Sequence, residues 1–164
     1  MNLEIPYKEI QNIQTKTEEV LSFLGYDIEI LWGFNDRLYA TIADAEITED
    51  NEFVIRYSSR YWKILTAKEK TEIVTHEVCH ITAGIESGGK TSHNKTWKNH
   101  MIRCGYEPRL SLDISLPYYL RPFRTVAVGF CPCKGHPLTK RKLALALKKG
   151  LKCESCKERI KIWS

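Results

Sequence analysis

The sequence of 164 residues lacks any long hydrophobic run. No apolar stretch approaches the roughly 18 residues that a membrane-spanning helix needs. The segment Met1–Glu4 has neither the basic start nor the apolar stretch of a secretory signal peptide. Internal repeats and low-complexity segments are also missing, and a content of 43% apolar and 27% charged residues is ordinary for a folded protein. We therefore expect a folded, cytoplasmic protein with no membrane partner.

An excess of positive charge is missing from most of the chain and occurs only near its end. Residues 1–133 carry 15 Lys and Arg against 18 Asp and Glu, whereas residues 134–164 carry ten against two. A basic segment of this kind attracts polyanions, most simply nucleic acid, although charge runs are as often merely solvated surface. The length allows one domain and a small accessory module. We predict a main domain over 1–125 and a basic module over 126–164.

The spacing of apolar residues predicts an α+β fold. A helix is expected over 7–24, and strands over 27–34, 37–43 and 52–57, with a hairpin turn at Asn35–Asp36 and an acidic loop over 44–52. The sequence Thr66-Ala-Lys-Glu69 matches a capping box, so a second long helix begins near residue 67 and ends by Ser87-Gly88-Gly89. A third helix is expected over about 92–103, followed by strands over 110–116 and 123–130, and a loop or short hairpin between the last cysteine pairs.

The strongest chemical signal is the pentapeptide His76-Glu-Val-Cys-His80 on the capped helix. Residues four apart share one helix face, so two imidazoles can bind one Zn²⁺ while Glu77 lies beside them. Glu77 can then accept a proton from water that the metal acidifies. The alternative without a function is a pair of surface histidines on an ordinary amphipathic helix, because so short a pattern also arises by chance.

A catalytic zinc site also needs a third protein ligand and one open position. The residues alone offer four candidates for that ligand, which are Glu86, His93, His100 and His136. His93 follows a glycine turn that allows the chain to double back toward the metal. His100 lies on the same helical face as His93 and is expected to support the site or to be solvated.

Four clustered cysteines predict a second, structural zinc site. Cys153 and Cys156 have the common two-residue spacing, whereas Cys131 and Cys133 are one residue closer together. Because Cys133 and His136 also have the standard spacing, the fourth ligand is either Cys131 or His136. We favour four thiolates. This tail has too few apolar residues to fold without a metal.

These motifs together resemble the SprT-like metallopeptidases, a group related to Spartan. The resemblance rests on His76-Glu-Val-Cys-His80, on Ser92-His93-Asn-Lys-Thr-Trp97-Lys98 with Gly105-Tyr-Glu-Pro108, and on the trailing cysteine pairs, which resemble the zinc ribbon of bacterial SprT proteins. It covers nearly the whole chain beyond the first helix. One departure is Asn94, where relatives often have Gly, so the local turn is left open.

The resemblance implies a zincin-like core, in which a helix and a three-stranded sheet are followed by the zinc helix and a third-ligand helix, with a small β-rich ribbon. It implies catalytic zinc on His76, His80 and His93 with Glu77 as general base. It also implies a DNA-associated endopeptidase that trims DNA-bound or DNA-crosslinked proteins. Five basic residues of the ribbon are candidates for phosphate contacts, namely Lys140, Arg141, Lys142, Lys148 and Lys149.

Two other functions fit the same residues. The first is a nucleic-acid-binding protein whose zincin core is not catalytic, and the second is a zinc hydrolase of small molecules.

Among the remaining residues, we expect Trp97 to pack beneath the metal and Phe130 to be a core residue, although Phe130 or Trp163 could stack on bases. Cys79 and Cys104 are expected to be small buried residues. The sequence does not choose a donor for the oxyanion among His100, Tyr118, Tyr119, Arg121 and Arg124.

Overall fold

A computed structural model describes residues 5–112, 114, 117 and 125–162 of the chain. The chain divides into two units, Met1–Leu120 and Arg121–Ser164, whereas the sequence placed the boundary after residue 125. In the part of the chain that is described, every helix is too short or too polar to cross a membrane.

The first unit packs helices against a small mixed sheet. Its elements are α1 (Tyr7–Leu24), β1 (Ile30–Asn35), β2 (Ala43–Ile47), β3 (Phe53–Ser58), the short α2 (Ser59–Trp62), α3 (Ala67–Glu86) and α4 (Lys95–Arg103). The strand order is β1-β3-β2, with β1 parallel and β2 antiparallel to β3. The α+β class predicted from the sequence is confirmed by this arrangement.

The predicted hairpin at Asn35–Asp36 is wrong. The second strand is β2, of which all residues but Ala43 lie in the acidic stretch expected to be a loop, and it pairs with β3 rather than with β1. Acidic side chains alternate with apolar ones along β2, and both Asp44 and Glu46 accept hydrogen bonds from Arg56 on β3, at 2.8 and 2.7 Å. The single positive charge of Arg56 thus offsets part of the negative charge that makes the segment resemble a loop.

The core of the first unit lies around α3, which contacts α1, α4 and the sheet. The side chains of Ile55 and Tyr57 on β3 and of Val78 and Ile81 on α3 are fully buried there. Tyr57 packs against the ring of Trp62 at 5.1 Å between ring centroids. With neighbours on three sides, α3 is a rigid support for the side chains that it carries.

The start of α3 is fixed by the predicted capping box. The hydroxyl of Thr66 accepts a hydrogen bond from the Glu69 amide at 3.3 Å, and the Glu69 carboxylate accepts one from the Thr66 amide at 2.7 Å. Two amides that the helix leaves unpaired are thereby satisfied. The helix ends at Glu86, immediately before the predicted Ser87-Gly88-Gly89 stop.

The described residues of the second unit form a three-stranded sheet and one helix. The strands are β4 (Thr125–Cys131), β5 (Lys134–Thr139) and β6 (Lys161–Ile162), in the order β5-β4-β6, and the helix is α5 (Lys140–Lys149). The sequence prediction missed α5 and expected only a loop or hairpin there. The segment consists of Lys, Arg, Leu and Ala, which are all strong helix formers.

Two further expectations for the segment after α4 have different outcomes. The strand expected over 123–130 corresponds to β4, although residues 123 and 124 lie outside the described part of the chain. Of the strand expected over 110–116, the described residues 110–112 and 114 form none. Backbone hydrogen bonds there close short turns instead, such as that from Ile114 N to Leu112 O at 2.8 Å.

Phe130 is not a core residue, so that prediction is wrong. Its side chain is 46% exposed, while its neighbour Gly129 and the facing Leu138 are buried. Successive residues of a strand point to opposite faces. Phe130 therefore lies on the outer face of the sheet, where its partners across β5 and β6 are Gly135 and Lys161.

Loss of the α3 cap should weaken the fold measurably. We expect Thr66→Ala to lower the free energy of unfolding by about 1 kcal/mol, within the range of about 0.5–2 kcal/mol found for such caps. Urea denaturation followed by circular dichroism measures this. Thr71→Ala is the matched control, because the Thr71 hydroxyl donates only to Ala67 O of its own helix. Equal stability of the two variants would contradict the assignment of Thr66 as the cap.

Candidate metal centres

Three histidine side chains converge at one point of the first unit. His76 and His80 lie one turn apart on α3, and His93 lies in the segment between α3 and α4. Their Nε2 atoms form a triangle in which each side measures 3.2 Å. Three nitrogens bound tetrahedrally to one zinc ion at 2.0–2.1 Å would lie about 3.3 Å apart. The donor types and their separation therefore fit zinc.

The chain between the two helices is shaped to return His93 to α3. Gly88 and Gly89 have φ values of 75° and 93°, which residues other than glycine rarely adopt. Asn94 then caps α4, because its Oδ1 accepts a hydrogen bond from the Trp97 amide at 2.9 Å. Its Nδ2 donates to Ser87 Oγ at 2.8 Å. At φ −73° the Asn94 backbone is unstrained, so this position does not require glycine.

Trp97 packs beneath the histidines, as the sequence predicted. The indole is fully buried, and its ring centroid lies 4.8 Å from that of His76, 5.3 Å from that of His80 and 4.4 Å from that of His93. Its Nε1 donates a hydrogen bond to the backbone carbonyl of His76 at 3.3 Å. One side chain thus fixes the positions of all three imidazoles.

Burial sets the charge of the groups in this site. It lowers the pKa of His76 to about 4, with a further contribution from His93, and it lowers the pKa of His80 to about 3. Both rings are therefore neutral at pH 7, which is the form that binds a metal. Burial, with a smaller effect of Asp44, raises the pKa of Glu77 to about 8. A carboxyl group of this kind exchanges its proton near neutral pH.

The three histidines and Glu77 line a cleft of about 410 Å³. Residues 40–45 form one wall and lead into β2, which is an edge strand of its sheet. Ile73, Leu110 and Leu112 add apolar surface. The candidate metal site is therefore open to a substrate, and its walls are partly apolar.

The other candidates for the third ligand lie elsewhere. Glu86 and His100 pair with each other, with 3.2 Å between Glu86 Oε1 and His100 Nε2. The opposite nitrogen of His100 lies 2.9 Å from Thr82 Oγ1, and Tyr26 donates a hydrogen bond to Glu86. These residues form a separate polar cluster that joins α3 to α4.

Of the possible oxyanion donors, Tyr118, Tyr119, Arg121 and Arg124 lie outside the described residues.

A second group of metal-binding side chains lies in the second unit. The sulfur atoms of Cys131, Cys133, Cys153 and Cys156 all lie within 4.8 Å of one another. Cys131 ends β4, Cys133 lies in the turn to β5, and the other two lie in a turn closed by a hydrogen bond from Lys157 N to Cys153 O at 2.9 Å. Four sulfur donors form a common structural zinc set.

His136, the alternative ligand for that site, lies beside the sulfur cluster. Its Nε2 is 3.2 Å from Cys131 Sγ. Cys131 itself lies 3.3 Å from Cys133 Sγ, so it belongs to the group of four sulfurs. The arrangement provides four thiols without His136, which is placed to hydrogen-bond the Cys131 sulfur.

The basic residues expected to contact phosphate lie on α5. Arg141, Lys142, Lys148 and Lys149 are exposed, whereas the side chain of Lys140 lies outside the described part of the structure. The sequence analysis did not place these residues on one helix, because it did not predict α5. Trp163 also lies outside the described residues.

The fold and the three-histidine cluster define an α+β protein with a candidate metal centre, and comparison with known proteins specifies the family. The SprT-like family model matches residues 11–115, which is more than half of the chain. The protein therefore belongs to the SprT-like family, as its motifs predicted.

Among solved structures, the chain is similar to a metallopeptidase. The crystal structure of the metallopeptidase zymogen of abylysin from Pyrococcus abyssi matches at 16% sequence identity. The similarity covers 56% of this chain and 77% of that chain, with a TM-score of 0.44. No curated protein sequence matches with significance.

Removing the indole beneath the site should destabilise the first unit. We expect Trp97→Ala to lower the free energy of unfolding by about 3–5 kcal/mol, because it leaves a cavity under the three imidazoles. Trp97→Phe retains a ring but loses the hydrogen bond to His76 O, and should cost about 1–2 kcal/mol. Urea denaturation monitored by circular dichroism compares the two. If Trp97→Ala were as stable as the parent protein, the indole could not be what holds the histidines.

Proposed function

We propose that this protein is a zinc-dependent endopeptidase. The observation that carries the proposal is the triangle of three histidine nitrogens beside the buried carboxylate of Glu77 on the wall of an open cleft. His76, His80 and His93 would hold the metal through Nε2 and leave one coordination position free. Zinc bound there supplies a Lewis acid that polarises a peptide carbonyl and acidifies water.

Glu77 performs the proton transfers in this proposal. Its side chain lines the cleft beside the histidines. Burial raises the pKa of Glu77, whereas a cation held by the neighbouring histidines would favour the ionised form that accepts a proton. Glu77 would take the proton of the attacking water on a carboxylate oxygen and pass it to the leaving amine. A zinc site without catalysis would not need a buried carboxylate at this position, which favours a peptidase over a purely DNA-binding protein.

The shape of the cleft favours a polypeptide substrate over a small molecule. In the described part of the first unit, β2 pairs with β3 on one side only, and the chain leading into β2 forms a wall of the cleft. The free edge of a strand offers backbone donors and acceptors to an extended peptide. Such a peptide would lie along this wall with one of its amide bonds near the histidines.

We further propose that the second unit brings the enzyme to DNA. Arg141, Lys148 and Lys149 are exposed on α5, within the segment 134–164, which has ten Lys and Arg against two Asp and Glu. Phosphate contacts of this kind give affinity without sequence preference. The substrates would then be proteins bound or crosslinked to DNA, which is what the resemblance to the SprT-like peptidases implies. A structural zinc ion on the four cysteines would hold this unit together.

Replacement of Glu77 tests the catalytic part of the proposal. We expect Glu77→Gln to bind two zinc ions like the parent protein but to cleave a DNA-bound protein about 100- to 10,000-fold more slowly, because it cannot accept a proton. Metal content is measured by elemental mass spectrometry and cleavage by gel electrophoresis. Glu72→Gln is the matched control, because Glu72 is also buried on α3 but does not line the cleft. Undiminished cleavage by Glu77→Gln would refute the peptidase mechanism, and DNA binding without cleavage by the parent protein would favour a non-catalytic core.

Neutralising the α5 cations tests the DNA part. The triple variant in which Ala replaces Arg141, Lys148 and Lys149 should bind labelled DNA about 10-fold more weakly, or weaker still, at about 0.1 M salt. The slope of log K against log salt should become shallower by about one for each of these cations that binds a phosphate in the parent protein. Fluorescence anisotropy over a salt series measures both quantities. A triple change of the exposed Lys8, Lys63 and Lys68 in the first unit is the control of equal charge. Equal weakening in the two triple variants would rule out a specific role for α5.

A further inference from the structure

The charge balance of the first unit as a whole conceals a local cationic surface. Between Glu86 and Glu107 the sequence has four Lys and Arg and no Asp or Glu. Three of these cations, Lys95, Lys98 and Arg103, lie on α4, and all three are exposed. A sum over the whole unit averages this surface away, because acidic residues elsewhere in the unit offset it.

The cations of α4 lie on the side of the helix that faces solvent. Trp97, His100 and Met101 are buried on the opposite side. The Trp97 indole donates to His76 O on α3 at 3.3 Å, and His100 Nδ1 lies 2.9 Å from Thr82 Oγ1 on α3. With about 100° of rotation per residue, the three cations fall within an arc of about 140° away from these contacts. We call this surface the cationic face of α4.

The acidic residues that flank this segment have other partners. Glu86 accepts a hydrogen bond from Tyr26, and its Oε1 lies 3.2 Å from His100 Nε2. Glu107 Oε2 lies 3.4 Å from Arg109 Nε. Among the ion pairs of the described residues, none includes a lysine or arginine of α4. The charge of the cationic face is therefore available to an anionic partner.

The length of the cationic face matches a run of phosphates. From Lys95 to Arg103 the helix axis advances by about 12 Å, at about 1.5 Å per residue. Each strand of duplex DNA carries one phosphate for about every 3.4 Å of its axis, so the face spans about three to four phosphates. Because α4 contains no Asp or Glu, no carboxylate of the helix repels them. Ile102, which is also exposed on this face, adds no charge.

We propose that the cationic face of α4 is a second DNA-binding surface, which contacts the phosphate backbone through Lys95, Lys98 and Arg103. The helix begins two residues after His93, which lines the cleft. DNA on this face lies beside the cleft, so a protein attached to that DNA is brought near the three histidines. The choice of DNA as the polyanion rests on the proposed function, but this surface belongs to the first unit and is tested separately from α5.

Replacement of the three cations tests the inference on the zinc-loaded protein. The triple variant with Ala at Lys95, Lys98 and Arg103 should bind a fluorescein-labelled DNA duplex about 10-fold more weakly at about 0.1 M salt. The slope of log K against log salt should become shallower by about one for each cation that contacts a phosphate. Fluorescence anisotropy over a salt series measures both quantities. Circular dichroism and metal content verify that the variant is folded, as expected for changes at exposed positions.

A charge-retaining variant is the matched control. Lys95→Arg, Lys98→Arg and Arg103→Lys together should bind the duplex within about 2-fold of the parent protein, because phosphate contacts depend mainly on charge. The inference is overturned if this variant loses as much affinity as the Ala variant. It is also overturned if the Ala variant binds no more weakly than the variant in which Lys8, Lys63 and Lys68 are replaced.

Combination with the α5 changes separates this inference from the proposed function. The protein with Ala at all six positions of α4 and α5 should bind DNA more weakly than either triple variant. If only the α5 changes weaken DNA binding, the inference about α4 fails and the proposed role of α5 stands. If only the α4 changes weaken it, the proposed role of α5 fails and the inference stands.

A labelled polyglutamate peptide distinguishes DNA from an acidic protein as the partner. We expect the parent protein to bind the DNA duplex more tightly than this peptide at the same salt concentration. The α4 triple Ala variant should lose DNA affinity to a greater extent than peptide affinity. If it loses affinity for polyglutamate but not for DNA, the cationic face binds an acidic protein and the inference is wrong.

Discussion

The contact of one indole with three imidazoles is the interaction on which the candidate active site depends. Trp97 is enclosed between α3 and α4, so its position is set by the packing of both helices. His76 and His80 are held by the geometry of α3, but His93 belongs to a loop and needs an external support. The indole provides it, at 4.4 Å between the His93 and Trp97 ring centroids. The fold thereby holds the imidazoles of one loop residue and two helical residues in fixed positions.

Burial gives the same residues their chemical character. Enclosure makes an imidazolium unfavourable, so His76 and His80 stay neutral and available as ligands, while it makes a carboxylate unfavourable at Glu77. One environment therefore shifts the pKa of the bases downward and that of the acid upward. Burying these polar groups of α3 in the core lowers the stability of the folded protein. The capping box at its start and the dense packing of Val78 and Ile81 offset that cost.

Much of this could be predicted from the sequence, because the relevant signals are local. The capping box of α3, the glycine stop and the spacing of the histidines depend on residues a few positions apart. The strand β2 was missed because its acidic side chains pair with Arg56, a partner from another strand that composition does not reveal. Helix α5 was missed because its leucines alternate, and Phe130 was misplaced because in a sheet this small one face remains exposed. Pairing between distant residues, as between Tyr26 and Glu86, leaves no sequence pattern.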